Sequence, residues 1–206
     1  MTGNPTDAHE PGTLRPGGRT ARVRAAVLEA AGDVLAEHGF DRLDLGDIAR
    51  RADVGKTTVY RRWGSPTGLV ADLLDQMAQE SLPRTETGTL HGDLSANAHL
   101  VRDTLADPRQ GPLFRAVIAA ATCDPRTASA LAHFYEVRAA EWAPCVEQAV
   151  ARGELPTGTT PSEVIRAVSA PLYYRFLTSG TAPTNADANR AVAGVVAAGV
   201  AGVYVG

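Results

Sequence analysis

Apolar positions recur every three or four residues along most of the chain, and no stretch alternates apolar and polar positions as a half-buried strand would. From Thr20, the residues Val23, Val27, Ala30/Ala31 and Val34/Leu35 form one stripe. Thr20 is placed to cap the start, and Gly39 supplies a left-handed stop with Phe40 folding back as its hydrophobic contact. Asp44 is placed to cap a short helix in which Leu45, Ile48, Ala49 and Ala52 share a face, with Arg50 and Arg51 outside it and Val54-Gly55 breaking it. A third short helix is predicted from Lys56 to Trp63, ended by Gly64, and Ser65-Pro66 then reads as the cap and first turn of a longer helix through about Ser81. Further helices are predicted at about 91–106, 112–122, 126–152, 161–179 and 185–204, separated by Asp107-Pro108, Asp124-Pro125 and Leu155-Pro156-Thr157-Gly158. The expected class is all-α. Residues 1–19 carry Pro11-Gly12 and Pro16-Gly17-Gly18 with almost no large apolar group, and read as a flexible tail.

Composition narrows the class further. With 206 residues, 44% hydrophobic and 21% charged, the chain has ordinary globular usage and enough length for a sizeable core. Its two cysteines, Cys123 and Cys145, form no Cys-x-x-Cys pair and no Cys/His cluster, so neither a disulfide framework nor a metal site is expected. Both read as buried small hydrophobes. No secretory signal is legible before Gly18, and a reducing cytoplasm is the expected compartment. No His-Glu-x-x-His, Gly-x-Ser-x-Gly or Gly-x-Gly-x-x-Gly motif is present, so an enzyme site and a cofactor are not expected.

Charge separates the two ends of the chain. The whole carries −3, but Arg15 to Arg62 holds ten Lys and Arg against seven Asp and Glu, a net +3 that leaves −6 for the rest. A basic N-terminal third on an acidic body suits presentation of one face to a polyanion. Within it, Val59 and Trp63 lie four apart on one side of the predicted third helix, with Thr57, Tyr60 and Arg61 on the other. Two short helices packed across a tight turn containing glycine make a helix-turn-helix, whose second helix enters the DNA major groove. Arg61 suits a bidentate contact to guanine and Thr57 a base edge or thymine methyl, while Lys56 and the Tyr60 hydroxyl suit flanking phosphates. Arg22 and Arg24 are placed to hold the DNA backbone from the first helix. The alternative is an ordinary helical core with a solvated polar face. Gly55-Lys56-Thr57 also matches the tail of a phosphate-binding loop, but the required earlier glycine is replaced by Arg50, inside a predicted helix.

The run VLEAAGDVLAEHGFDRLDLGDIARRADVGKTTVYRRWGSPTGLV resembles the N-terminal DNA-binding domain of the tetracycline-repressor (TetR) family of bacterial transcription regulators. Val27-Leu28, Ala30-Ala31, Gly39-Phe40, Ile48-Ala49, Ala52-x-Val54 and Val59-Tyr60-x-x-Trp63 carry the likeness over about residues 20 to 70. The resemblance implies a homodimeric repressor that binds palindromic operator DNA, with an all-helical C-terminal domain that binds a small effector. It places DNA contacts on Lys56, Thr57, Thr58, Tyr60 and Arg61 and a phosphate contact on Arg24. Pro66 stands where the family usually has lysine, so that backbone contact falls to the helix N-terminus or to Arg62. Gly55 replaces the common serine cap. The expected division is a tail at 1–19, a helix-turn-helix domain at 20–64 and a ligand-binding and dimerisation domain at 65–206.

PSEVIRAVSAPLYYRFLTSG resembles a helix of one branch of that family, in which the last two helices of each copy pack as a four-helix dimer interface. The sixteen uncharged residues from Ala191 to Gly206, with Gly194, Ala198, Gly199 and Gly202, are too short and too glycine-rich for a membrane span, and read as close helix packing between copies. An intramolecular core is the alternative. Met77, His99, Phe114, Phe134, Trp142 and Tyr173 are the expected pocket residues. A small-molecule sensor or carrier that leaves its helix-turn-helix unused is the competing function.

Overall fold

The periodicity is realised as helix: the computed structural model describes residues 17–80 and 84–206, and among these the only β feature is an isolated bridge between Thr159 and Val205. The elements are α1 (Gly17–His38), a 3-10 turn (Phe40–Arg42), α2 (Leu45–Arg51), α3 (Lys56–Trp63), α4 (Pro66–Gln79), α5 (Leu90–Ala106), α6 (Gln110–Ala121), α7 (Pro125–Ala151), α8 (Pro161–Thr178) and α9 (Asn185–Val200). The predicted tail lies outside the described residues as far as residue 16. Its last three residues belong to α1 instead, so Thr20 sits inside the helix rather than capping it.

Local chemistry sets the breaks in the first third. Asp44 accepts hydrogen bonds from the Gly46 and Asp47 amides and opens α2, while Ser65 accepts from Gly68 with Pro66 in the first turn of α4. Gly39 and Gly64 take φ values of 77° and 71°. The α2–α3 turn is closed just before the Val54-Gly55 break read in the sequence. Asp53, not Gly55, adopts the left-handed φ of 53°, and the amides of Asp53 and Val54 donate back to the carbonyls of Arg50 and Ala49. Val27, Leu28, Ala31, Leu35, Ile48 and Val59 meet in the core between α1, α2 and α3.

From there α4 leaves the small N-terminal bundle and runs along α7, its Leu69, Val70, Leu73 and Leu74 buried on both neighbours. Helices α5, α7, α8 and α9 pack side by side as the body, and α6 lies against α1, where Arg109 pairs with Asp33 at 2.6 Å. The last helix ends at Val200, short of the predicted 204. Gly202 at φ 81° turns the chain, so that Tyr204 packs back over the core. Among the described residues no helix is long and apolar enough to cross a membrane.

Candidate functional site

Helix α3 presents two chemically distinct sides. Val59 is fully buried and Trp63 nearly so, while Lys56, Thr57, Tyr60, Arg61 and Arg62 are exposed and Thr58 is half-buried at the margin. Tyr60 keeps 41% of its surface in solvent although it is a large aromatic, with the Lys56 ammonium 5.5 Å from its ring centre one turn earlier. The Arg62 guanidinium rests 5.2 Å from the Trp63 ring, leaving its outer edge accessible. The helix contains no acidic residue, and its glycine N-cap supplies no side chain to its first amides. The result is a short cationic rod with donor side chains outward and an apolar underside. These are the materials for phosphate and base-edge contacts.

The rod is held by a residue the sequence reading did not single out. Asp72 of α4 accepts the Trp63 indole N–H at 2.8 Å and pairs with Arg24, whose Nη2 lies 2.6 Å from Oδ1 and whose Nε lies 3.1 Å from both carboxylate oxygens. Arg24 also donates to the Asp72 carbonyl and to Gln76. Burial works against the charge on Asp72, but the hydrogen bonds from Arg24 and Trp63 and the fields of Arg24 and Arg62 outweigh it and hold its carboxyl below the usual carboxylate range. Arg24, expected on phosphate, is therefore committed to a clamp joining α1, α3 and α4. Arg22, on the same helix, is exposed. The signal in the sequence was chemical: a buried tryptophan needs an acceptor for its N–H, and α4 carries two carboxylates, Asp72 and Asp75, among its apolar positions.

In the body, α4, α5, α6, α7 and α8 line a partly open cavity of about 920 Å³. Met77, Phe114, Phe134, Trp142 and Tyr173 line it, joined by Tyr135, Asn97 and Ser169, which the sequence reading passed over. His99 does not line it. Its Nε2 lies 3.2 Å from Asn189 Oδ1, tying α5 to α9, because its position on α5 turns it toward the last helix. The α4 end of the cavity is formed by Met77 and Glu80. Burial, with the neighbouring Tyr173 adding to it, pushes the Tyr135 phenol above its ordinary range. Tyr173 is also raised by burial, so both rings stay protonated.

Among the described residues no group of His, Cys, Asp and Glu is arranged to hold a metal ion. Burial pushes the Cys145 thiol up to about 11, whereas Cys123, expected inside, is exposed in the α6–α7 turn.

Two family models match the chain: "Bacterial regulatory proteins, tetR family" over residues 27–73, and "Tetracyclin repressor-like, C-terminal domain" over residues 84–195. An uncharacterised helix-turn-helix-type transcriptional regulator of Bacillus subtilis, YdeS, is 30% identical over 163 residues, covering 79% of this chain and 82% of its own. The helix-turn-helix-type regulator AqdR of Rhodococcus erythropolis is 29% identical over 147 residues, covering 71% and 70%. The structure of GusR from Salmonella enterica superposes with a TM-score of 0.68 at 20% identity, over 88% of this chain and 95% of that one, a likeness of fold.

Proposed function

Given that the chain belongs to the TetR family of bacterial transcription regulators, we propose that it is an effector-responsive repressor that binds palindromic operator DNA as a homodimer in the cytoplasm. The observation that carries this reading is the outward set of Thr57, Tyr60 and Arg61 on a rod whose inner side is anchored by Val59 and Trp63. Arg61 reads guanine and Thr57 a base edge, while Lys56, the Tyr60 hydroxyl, Arg62 and the exposed Arg22 hold phosphates on either side. Two copies with recognition helices about 34–36 Å apart enter successive major grooves. The DNA-binding part spans residues 20–64 and the ligand-binding and dimerising part residues 65–206.

The same helix that ends at the cavity begins at the rod. Met77 and Glu80 touch the cavity, and Asp72, partway along α4, grips both Trp63 and Arg24. An effector that fills the cavity and displaces the end of α4 moves this clamp, and with it the two rods out of register with the DNA. Moving the equilibrium from mostly bound to mostly free needs about 5.5 kcal/mol of differential affinity between the two states.

The test is a gel-shift titration with duplexes selected from a randomised library. The selected sequence should be a palindrome, and affinity should fall steeply with salt. Arg61→Ala should cost about 1–3 kcal/mol on the selected site and little on scrambled DNA. A protein with no salt-dependent duplex binding is instead a sensor or carrier with an idle helix-turn-helix.

A further inference from the structure

We infer that Arg109, beside the start of α6, decides which half-site spacing the protein accepts, by fixing the angle of the DNA-binding head on the body. The inference rests on the reading of the chain as a dimer that binds a palindrome.

The head, α1 to α3, meets the rest of the chain chiefly through α4 and α6. The two helices grip α1 at different heights. Helix α4 holds it at Arg24, through Asp72, and the start of α6 holds it at Asp33, through Arg109. At 1.5 Å per residue these points lie about 13 Å apart along the helix. One grip alone would act as a pivot, whereas two at that separation fix a direction.

Arg109 makes the second grip with several contacts. Its Nε lies 2.6 Å from Asp33 Oδ1, and its Nη2 donates to the Glu29 carbonyl at 3.2 Å. Gly32 leaves room for this close approach, since a Cβ there would stand 3.1 Å from Arg109 Nη2 and 3.5 Å from Leu113 Cδ1. The mount on the body side is stiff. Asp107 accepts the amides of Arg109 and Gln110 at 2.9 and 2.7 Å, and a Cβ on Gly111 would stand 2.6 Å from the Leu105 carbonyl oxygen, so the start of α6 is pressed onto the end of α5.

Arg109 and Asp33 keep 49% and 42% of their side-chain surface in solvent. Pairs this exposed add little to stability, so losing this one should leave the fold intact while widening the range of head angles. In a dimer, a wider range of angles is a wider range of tolerated spacings.

Palindromic duplexes built from the selected site, with the spacer lengthened or shortened by one or two base pairs, test this in gel-shift titrations of the full chain. Each added base pair moves the second half-site about 3.4 Å along the duplex and about 35° around it. The wild type should bind one spacer about tenfold tighter than its neighbours. Asp33→Asn and Arg109→Gln should each reduce that preference to about threefold, with the half-site sequence unchanged and the melting temperature within about 2 °C of wild type. Charge alone predicts a different pattern: losing Asp33 would strengthen, and losing Arg109 weaken, binding to every spacer by one common factor. Exchanging the pair, as Asp33→Arg with Arg109→Asp, should restore the preference. A wild type without a preferred spacer, single variants that keep the wild-type profile or fail to fold, or an exchanged pair that stays broad overturns the inference and leaves the repressor reading standing. A wild type that binds no duplex overturns both.

Discussion

Asp72 is the side chain on which the recognition rod depends most directly. It satisfies a buried indole N–H and a partly buried guanidinium at once, so removing its charge leaves two donors short of a full partner. Asp72→Asn is expected to cost about 1–3 kcal/mol in stability and to weaken duplex binding with no change in which sequence is selected. The pH dependence has a definite sign. A carboxyl whose folded pKa lies below its unfolded value adds stability above the unfolded value, about 3.9, and loses it as pH falls through the folded one. The difference in melting temperature between wild type and Asp72→Asn should thus stay constant from pH 7 to about 5 and shrink below about pH 4. A difference that grows on acidification would remove the ion pair as its source. Lys56 and Arg61, by contrast, project from the surface, and their loss should be felt by DNA and hardly by the fold.

At the scale of elements, the junction between α3 and α4 is the tightest place in the route from cavity to rod. A Cβ on Gly68 would stand 2.4 Å from the Trp63 carbonyl oxygen, a backbone atom that cannot swing aside. Gly68→Ala should therefore force the start of α4 away from the end of α3 and lower duplex affinity more than thermal stability. Thermal melts and duplex titrations of the variant beside the wild type check this. Gly194 lies in mid-α9 with nothing within 4 Å of an added Cβ, so alanine there should raise stability by up to about 1 kcal/mol. The glycines of the last segment, which look alike in the sequence, separate into different tasks. Gly199 is packed intramolecularly under Leu155 and Gly202 makes the turn, which leaves Gly194 on the open face.

For the whole molecule, the open question of packing sits on α8 and α9. Tyr174 and Val200 keep 72% and 61% of their surface exposed, and Tyr174 lines a groove with Pro171 and Gly194. A second copy laid across these helices would cover that face and set the distance between the two rods. Gly194→Arg adds bulk and charge at a point with free space in one protomer, so it should fold normally, sediment as a monomer and lose palindrome binding at least tenfold. A variant that remains dimeric would place the interface elsewhere.

The sequence alone determined the order and near-register of the helices, because periodicity, caps such as Asp44 and Ser65-Pro66, and Pro/Gly breaks all act within a turn or two of the chain. It also determined which side of α3 faces out, since Val59 and Trp63 have only one way to be buried together. The tertiary structure decided what depends on residues far apart in the chain. It set Arg24 against Asp72, 48 positions away, and turned His99 toward Asn189, 90 positions away. It also left the Trp142 indole N–H buried with no acceptor among the described residues. Local pattern fixes which face of a helix is apolar, but which partner that face meets is set by packing between helices, and the ion pairs, the cavity and the unpartnered donor all come from that packing.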